Sequence, residues 1–414
     1  MTLPPHASRF RRLIVDAEWL TAARATRLAW SFLAVSLLGA LAWVATARHS
    51  IDLAGRPLGT DFASFWTASQ MALAGRAVQV YDPAAHHAAQ MAVFGPRVDD
   101  YAFFYPPLFL TICLPLALAP YAVSLGAWLT ATGYAYAKVT RRFLGEGRVW
   151  WVPVLGFTGV FMNAGHGQNG FLSAALFGGG VLLLDRRPIL AGVVLGCLAY
   201  NPQLGLVIPI TLLAGGRWRT IFGAAATVVV LGLASVGLFT AQAWQGFLAV
   251  SPLARTALEQ NLVGFAKMPT VFAAVRLWHG PVALAYAVQA LVALGVCGAL
   301  IALQRKAYRA PAEGPAMVAA ALLASPFMLD YDLVILAIPL AWLTREGLRT
   351  GFRSWEKFVL GAGFVVPLLS RPIMSMTGVP IGPLVVGAVF WLVLRRWEKP
   401  ADGQDALAPV AGPG

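Results

Sequence analysis

Asp61 is the residue of this chain whose type and position could do chemistry most directly, and it lies in the polar stretch Gly59-Thr60-Asp61. A carboxylate can take a proton from a hydroxyl group, and it can also cap a helix by accepting free backbone N–H groups. Thr60 and Asp61 both stand where a helix should begin. Position alone leaves both interpretations open, so the polar turns farther along the chain must be considered.

The segment after Asp61 predicts an amphipathic helix. Its side chains recur at spacings of three and four and would form one stripe: Phe62, Phe65, Trp66, Ser69 and Leu73. Aromatic rings on such a stripe favour the headgroup region of a membrane. We therefore expect this helix to lie along the interface, with Asp61 at the edge of the stripe.

The composition indicates a membrane protein with many spans. The chain has 414 residues, of which 58% are hydrophobic and only 12% are charged. A soluble protein of this length could not expose so little charge. The net charge of +13 is typical of basic cytoplasmic loops and, without a basic soluble segment interleaved with aromatic residues, argues against a nucleic-acid partner. The three cysteines (Cys113, Cys197 and Cys297) lie in apolar runs and are expected to be core residues rather than disulfides.

Hydropathy and charge together predict an all-α integral membrane protein with 11 to 13 transmembrane helices and both termini in the cytoplasm. Residues 1–27 are expected to form a cytoplasmic segment, residues 28–398 a single transmembrane domain, and residues 399–414 a disordered cytoplasmic tail. The two largest outward loops would be 48–102, which carries amphipathic interfacial helices, and 241–281.

The basic segments set the sides of the membrane. Those at 185–187, 217–219, 304–306, 345–357 and 395–396 should be cytoplasmic. Strict alternation of the helices then places outside the polar turns at 165–169, 200–203, 241–281, 325–332 and 371–372. This is also the side of Asp61. One of the two apolar segments between 103 and 139 must be partial, because two full crossings there would give the wrong parity. Polar groups at membrane depth are costly and usually mark a substrate site, so we expect one on this side.

Short motifs occur along the chain in a characteristic order. They are Asp61 with Phe62 and Trp66, Tyr81-Asp82, Tyr105-Pro106-Pro107, Gly167-Gln168-Asn169, Asn201-Pro202-Gln203, Lys267-Met268-Pro269 and Leu329-Asp330-Tyr331-Asp332. In this order and spacing they resemble glycosyltransferase family 87, a bacterial family of multi-pass enzymes of the GT-C class. That family includes mannosyltransferases of phosphatidylinositol mannoside synthesis. The resemblance runs from about residue 58 to residue 345.

The resemblance implies a GT-C bundle whose donor is a polyprenyl-phosphate sugar, a hexose such as mannose. The acceptor would be a lipid or a glycan at the outer face of a bacterial cytoplasmic membrane, among its lipids. Asp61 would be the general base of an inverting transfer. One carboxylate suffices because a phosphate leaving group needs no acid to protonate it. We predict no cofactor and no bound metal, with a divalent ion at the phosphate as the open alternative.

The predicted site has Asp61 as its catalytic residue. Its predicted substrate-binding residues are Phe62, Trp66, Tyr81, Asp82, Tyr105, His166, Gln168, Asn169, Asn201, Gln203, Lys267, Asp330, Asp332 and Arg371. Plainer alternatives stay open for many of them. Asp82 is the rival base but is typical of a helix cap before proline, and Gln168-Asn169 could be a capping turn. The carboxylates Asp330 and Asp332 could likewise cap a helix, and Arg371 could extend to the membrane edge.

Asn201 departs from the family, which commonly has lysine before this proline as a natural phosphate contact. The phosphate would then be held by another cation on the same side, or the activity would be altered or lost. The candidate cations are Lys267, Arg255, Arg276 and Arg371. Lys267 is preferred because it precedes Met268-Pro269 in an outward loop, although it could be a solvated loop lysine.

A transporter or flippase of a lipid-linked substrate is the alternative function. It would explain polar groups within membrane segments. It also predicts internal repeats and charges deep within spans, and the sequence shows neither.

Overall fold

The computed structural model describes residues 11–304, apart from residues 146 and 148, and residues 311–397. It is 77% helical, and within these ranges it contains no strand, only isolated bridges near residues 48–57. The all-α prediction is therefore confirmed. The predicted disordered tail, 399–414, and the first ten residues of the predicted N-terminal segment lie outside the described residues.

The helices of the first half begin with a long one and continue through the predicted first loop. They are α1 (Ala22–Thr46), α2 (Phe62–Leu73), α3 (Pro83–Phe94), α4 (Pro107–Cys113), α5 (Tyr121–Leu144), α6 (Trp151–Leu155), α7 (Thr158–His166), α8 (Gly170–Leu183) and α9 (Pro188–Gly196).

The helices of the second half include the longest in the chain. They are α10 (Pro202–Gly205), α11 (Val207–Ala214), α12 (Trp218–Glu259), α13 (Val271–Leu277), α14 (Val282–Gln304), α15 (Glu313–Ala324), α16 (Ala337–Thr350), α17 (Glu356–Thr377) and α18 (Ile381–Arg395). A π-helical turn (Arg11–Val15) and 3₁₀ segments accompany them, the latter at Ala77–Tyr81, Leu114–Leu118, Cys197–Tyr200, Phe265–Lys267 and Asp330–Leu336.

Long apolar helices identify a membrane protein. Four of the described helices, α1, α12, α14 and α17, are long and apolar enough to cross a bilayer. Shorter apolar helices stand between them, among them α8 and α15. The number of transmembrane helices, 11 to 13, stays a prediction.

The apolar segment before α5 is a broken helix. It consists of α4 and the 3₁₀ segment Leu114–Leu118, together 12 residues between Pro107 and Leu118. At ~1.5 Å per residue such a helix spans roughly 18 Å, less than the ~30 Å of the hydrocarbon core. This length agrees with the expectation that one segment between 103 and 139 is partial.

Residues 241–259, which we expected in a loop, are helical. They extend α12 beyond a break at Thr240, whose backbone is not helical (φ 66°, ψ 165°). The extension packs against the first loop, because the ring of Phe247 contacts that of Tyr81 edge-on at 6.1 Å. Packing against a neighbour stabilises a helix that hydropathy alone does not indicate.

Helix α15 lies at the centre of the bundle, since each of its residues is buried. An apolar helix that is buried all round belongs to the core. Its first residue, Glu313, pairs with Arg217 at 2.5 Å, and both side chains are buried. Its last turn leads directly to Asp330–Leu336. The helix therefore joins the basic end of the bundle, which carries the segments at 185–187, 217–219, 345–357 and 395–396, to the end that carries Asp61.

Candidate functional site

Two glycines bring the first loop against the turn before α8. Gly59 and Gly167 both have positive φ, 69° and 62°, where L side chains are strained. A Cβ on Gly167 would lie 2.6 Å from Cβ of Phe62 and 2.9 Å from the carbonyl oxygen of Gly59. Only glycine permits both this conformation and this close approach.

Two side-chain hydrogen bonds cross the contact between these loops. The Thr60 hydroxyl lies 3.0 Å from Nδ1 of His166, and Nε2 of Gln168 donates to Oδ2 of Asp61 at 3.1 Å. The catalytic candidate of the first loop is thus bonded to a residue 107 positions later in the chain.

Asp61 does not cap α2, contrary to one of our two interpretations. It stands at the cap position with helical backbone angles (φ −69°, ψ −22°), and neither it nor Thr60 makes a side-chain capping bond. A capping residue normally has extended backbone. The first N–H groups of α2 bond instead to backbone carbonyl groups three residues earlier. The half-buried carboxylate of Asp61 is therefore available for chemistry.

The prediction that the aromatic stripe of α2 faces the membrane headgroups is wrong. Phe62, Phe65 and Ser69 are buried. The Ser69 hydroxyl donates to the carbonyl of Cys113, and Nε1 of Trp66 donates to the carbonyl of Ala119. The broken helix 107–118 covers the stripe at Phe65 and Ser69. Phe62 packs against Phe65 and Tyr121 in the protein core, so it offers no surface to a ligand. Amphipathicity shows that one face is apolar, but it cannot tell lipid from protein as the cover.

Gln168 links Asp61 to two tyrosines. Its Nε2 also donates to the hydroxyl of Tyr331 at 3.1 Å, and its Oε1 accepts from the hydroxyl of Tyr105 at 3.3 Å. Tyr331 belongs to the motif Leu329-Asp330-Tyr331-Asp332, but we predicted no role for it. Its ring also lies against His166, with centroids 5.2 Å apart.

Asn163 holds the turn that presents Gln168, and sequence reasoning missed it. Its Nδ2 donates to the carbonyl of Gln168 at 3.2 Å, and its Oδ1 accepts from the backbone N–H of Gly170 at 2.9 Å. The residue is fully buried. Its one signal in the sequence is an amide side chain between the apolar residues Met162 and Ala164.

The 3₁₀ segment Asp330–Leu336 packs against α7 and α8 through two glycines. A Cβ on Gly159 would lie 2.9 Å from Cα of Val334, and one on Gly170 would lie 2.7 Å from its Cγ1. Asp332 accepts the backbone N–H of Leu329 at 2.9 Å, which confirms the capping interpretation for that residue. Burial, with the nearby charges of Asp330 and Asp61, raises the pKa of Asp332 to about 7.

A family comparison agrees with the motifs in these turns. The sequence model described as glycosyltransferase family 87 matches residues 103–326, more than half of the chain. The chain belongs to glycosyltransferase family 87. No curated protein and no solved structure matches it. The matched range contains Tyr105, Gln168 and Lys267, whereas Asp61 precedes it and reaches the site through the contacts described above.

Asp330 of this glycosyltransferase is a buried carboxyl group whose pKa several positive charges affect. The carboxylate is buried, and its Oδ2 has no hydrogen-bond partner in the described part of the chain. Burial raises the pKa of Asp330, while the charges of His166, Arg371 and Lys267 oppose this rise. The positive charges of Lys267 and Arg371 therefore both act on the pKa of Asp330.

The other two candidate cations are held by neighbouring groups. Arg255 pairs with Glu259 at 2.7 Å. Arg276 donates to the carbonyl groups of Gly280 and Glu259 at 2.7 and 3.1 Å. Lys267, half-buried, and Arg371, exposed, form no salt bridge within the described ranges. Lys267 and Arg371 are therefore the better placed of the four for a phosphate.

The remaining predicted residues differ in what surrounds them. Asp82 is exposed and caps α3, accepting from the N–H groups of Ala84 and Ala85, as its turn interpretation expected. Tyr81 is buried beside Phe103. Asn169 and Asn201 are buried. The amide nitrogen of Asn169 and the amide oxygen of Asn201 lack hydrogen-bond partners in the described structure. Gln203 is partly exposed beside Asn201.

Proposed function

We propose that this glycosyltransferase moves a hexose, such as mannose, from a polyprenyl-phosphate donor to a lipid or glycan acceptor. The transfer inverts the anomeric centre, and Asp61 is its general base. One observation carries the proposal: three separate polar turns of the chain meet at Asp61 through Gln168 and Tyr331.

Asp61 has the exposure and the bonding that a general base needs. Its Oδ2 is held by Gln168, while its Oδ1 has no bond within the described structure, and the residue is half-buried. A base must lie within hydrogen-bond reach of the proton that it takes. Oδ1 is therefore the atom that faces the acceptor.

The reaction needs one proton transfer and one substitution. As Oδ1 takes the hydroxyl proton, the acceptor oxygen forms a bond to the anomeric carbon. The bond from that carbon to the phosphate oxygen breaks, and its electron pair leaves with the polyprenyl phosphate. Because this leaving group is already an anion, no second carboxylic acid is required.

Lys267 and Arg371 are the proposed partners of the donor phosphate. Both act on the pKa of Asp330, and neither forms a salt bridge within the described ranges, so a phosphate beside these two side chains would meet two positive charges. These two cations would provide the phosphate contact of the lysine that the family commonly has at the position of Asn201. The neutral amide of Asn201, with its unpartnered Oδ1, suits a sugar hydroxyl better than a phosphate.

We place the reaction on the outer face of a bacterial cytoplasmic membrane. The basic segments lie at the far end of the bundle from Asp61, and basic segments favour the cytoplasm. The polyprenyl chain and a lipid acceptor would then reach the site from the bilayer.

The decisive experiment replaces Asp61 by Asn and by Ala in purified protein supplied with a polyprenyl-phosphate hexose. We expect the transfer rate to fall by roughly 10²- to 10⁴-fold, the usual contribution of a general base. Asp99→Asn is the matched control, because Asp99 is an exposed carboxylate of the same loop and pairs only loosely with Arg56, at 3.8 Å. Near-normal transfer by Asp61→Asn would refute the assignment, and loss in Asp82→Asn alone would move it to the rival base.

The donor class is tested in the same assay. A nucleotide-activated hexose should give no product, whereas the polyprenyl-phosphate hexose should. The reverse result would contradict the proposed donor while leaving the family assignment intact.

A further inference from the structure

Protein groups occupy every polar atom of the Gln168 side chain. Its two amide hydrogens point to Oδ2 of Asp61 and to the hydroxyl of Tyr331, each at 3.1 Å. Its Oε1 accepts from the backbone N–H of Asn169 at 2.9 Å and from the Tyr105 hydroxyl at 3.3 Å. An amide has two donor hydrogens and two acceptor lone pairs. The side chain, which is 4% exposed, therefore keeps nothing for a sugar.

The orientation of this amide is determined by its partners. A backbone N–H can only donate, so the atom facing Asn169 must be the oxygen. Nitrogen then faces the Asp61 carboxylate, which can only accept when it is ionised. The opposite assignment would set two donors against each other at Asn169 and two acceptors against each other at Asp61.

The backbone of Gln168 is held as firmly as its side chain. The Asn163 side chain donates to the carbonyl oxygen of Gln168. The backbone N–H of Gln168 donates in turn to the carbonyl of Asn163 at 3.1 Å. The preceding residue is Gly167, packed against Gly59 and Phe62. The amide is thus fixed from both sides before any substrate arrives, as preorganised sites require.

We infer that Gln168 is the positioning residue of Asp61: it holds Oδ2, so that Oδ1 faces the acceptor hydroxyl. This inference rests on the proposed function, in which Asp61 is the base. A hydrogen bond donated to a carboxylate favours its charged form, which is the form that accepts a proton. Gln168 would act through Asp61 and would not touch the sugar, unlike the role that its motif first suggested.

Two isosteric substitutions test whether Gln168 positions Asp61 or only holds the two loops together. Gln168→Met removes the amide while keeping the length of the side chain. Thr60→Val removes the other bond between the same loops, from Thr60 to His166, without touching Asp61. If Gln168 only joined the loops, both variants would affect catalysis alike.

We expect Gln168→Met to lower kcat by about 10- to 100-fold, as misplaced catalytic groups do, with KM for donor and acceptor within about twofold. Thr60→Val should keep kcat within about threefold. Equal losses of kcat in the two variants, or a raised KM with unchanged kcat in Gln168→Met, would overturn the inference.

Gln168→Glu provides the second variant if Gln168→Met does not fold. It keeps the shape and the acceptor oxygen but replaces the amide donor that faces Asp61 by a carboxyl group, so kcat should again fall by about 10- to 100-fold. An unchanged kcat would count against positioning.

Asp61→Asn in the same assay distinguishes the two proposals. If Asp61→Asn retains activity, the base assignment itself fails. If Asp61→Asn is inactive and Gln168→Met keeps its normal kcat, only the positioning role fails. In a double variant Gln168→Met should add little to the loss from Asp61→Asn, because residues that act as a unit are not additive.

Discussion

At the basic end of the bundle, buried charges are matched by charges of the opposite sign. Arg217 is held by Glu313 and Asp185, and Arg396 meets Glu356 with two bonds. At the other end, Asp330 is equally buried, but one of its oxygens has no partner in the described chain.

The comparison separates buried charges that are paired within the fold from a buried carboxyl group that keeps one unpartnered oxygen. A buried polar atom without a partner costs about 1–3 kcal/mol, and it persists only where other interactions hold the structure. The ion pairs of the basic end join the helices α15, α17 and α18 that lead towards the site. In the proposed function, the phosphate would pair with cations at the Asp61 end, and the sugar would supply hydroxyl groups to its unpartnered oxygens.

The largest expected effect is on folding at the basic end. Glu313→Gln leaves Arg217 buried with only the exposed Asp185 as its counter-charge, so we expect the free energy of unfolding to fall by about 3–5 kcal/mol. Thermal unfolding in detergent measures the change. Glu346→Gln is the control, since Glu346 pairs with exposed Arg349 and should change stability by about 0–1 kcal/mol. Equal losses in both variants would erase the distinction between the two ends.

The next effect concerns the glycine contact at the site end. Gly167→Ala would force a Cβ against Phe62 and Gly59 at positive φ, so we expect a loss of about 1–3 kcal/mol in stability together with a lower transfer rate. Gly165→Ala is the matched control. It lies in α7 with open space around it, and alanine favours a helix by roughly 1 kcal/mol over glycine. A harmless Gly167→Ala would show that the two loops need not touch.

The smallest effect is on donor binding. Lys267→Ala and Arg371→Ala should each raise the donor KM by about tenfold, equivalent to ~1.4 kcal/mol, and leave the unfolding temperature unchanged. Arg76→Ala, an exposed arginine of the first loop, is the control and should leave KM unchanged. If Lys267→Ala lowers stability without changing the donor KM, Lys267 maintains the fold, like the paired charges of the basic end, and does not bind the donor.

Much of the fold could be predicted because its signals are local. The predicted all-α class follows from hydropathy, and the cap at Asp82 from a residue type before proline. The cysteines are free as expected, with Cys113 and Cys297 buried. The burial of α2 could not be predicted in this way, because lipid and the broken helix 107–118 would favour the same apolar stripe. The same holds for residues 241–259, whose helix depends on packing against Tyr81.

The sequence indicates several candidate residues of the site but not the geometry that joins them. Asp61, Gln168 and Lys267 stand in motifs that the sequence displays. Nothing local indicates that Asn163 holds the turn at Gln168, because that role depends on two backbone groups brought together by the fold.

The sequence by itself determined that this protein is a helical membrane glycosyltransferase with its polar residues gathered in turns, because hydropathy, charge and family motifs are read along the chain. Only the tertiary structure decided that Gly59 meets Gly167 and that the Gln168 amide faces Asp61. These residues lie 107 or 108 positions apart in the numbering, and no local preference sets the distance between such segments. Close packing around two glycines sets this distance. Within the described structure it leaves Asp61 with one hydrogen-bonded oxygen and one oxygen without a hydrogen bond.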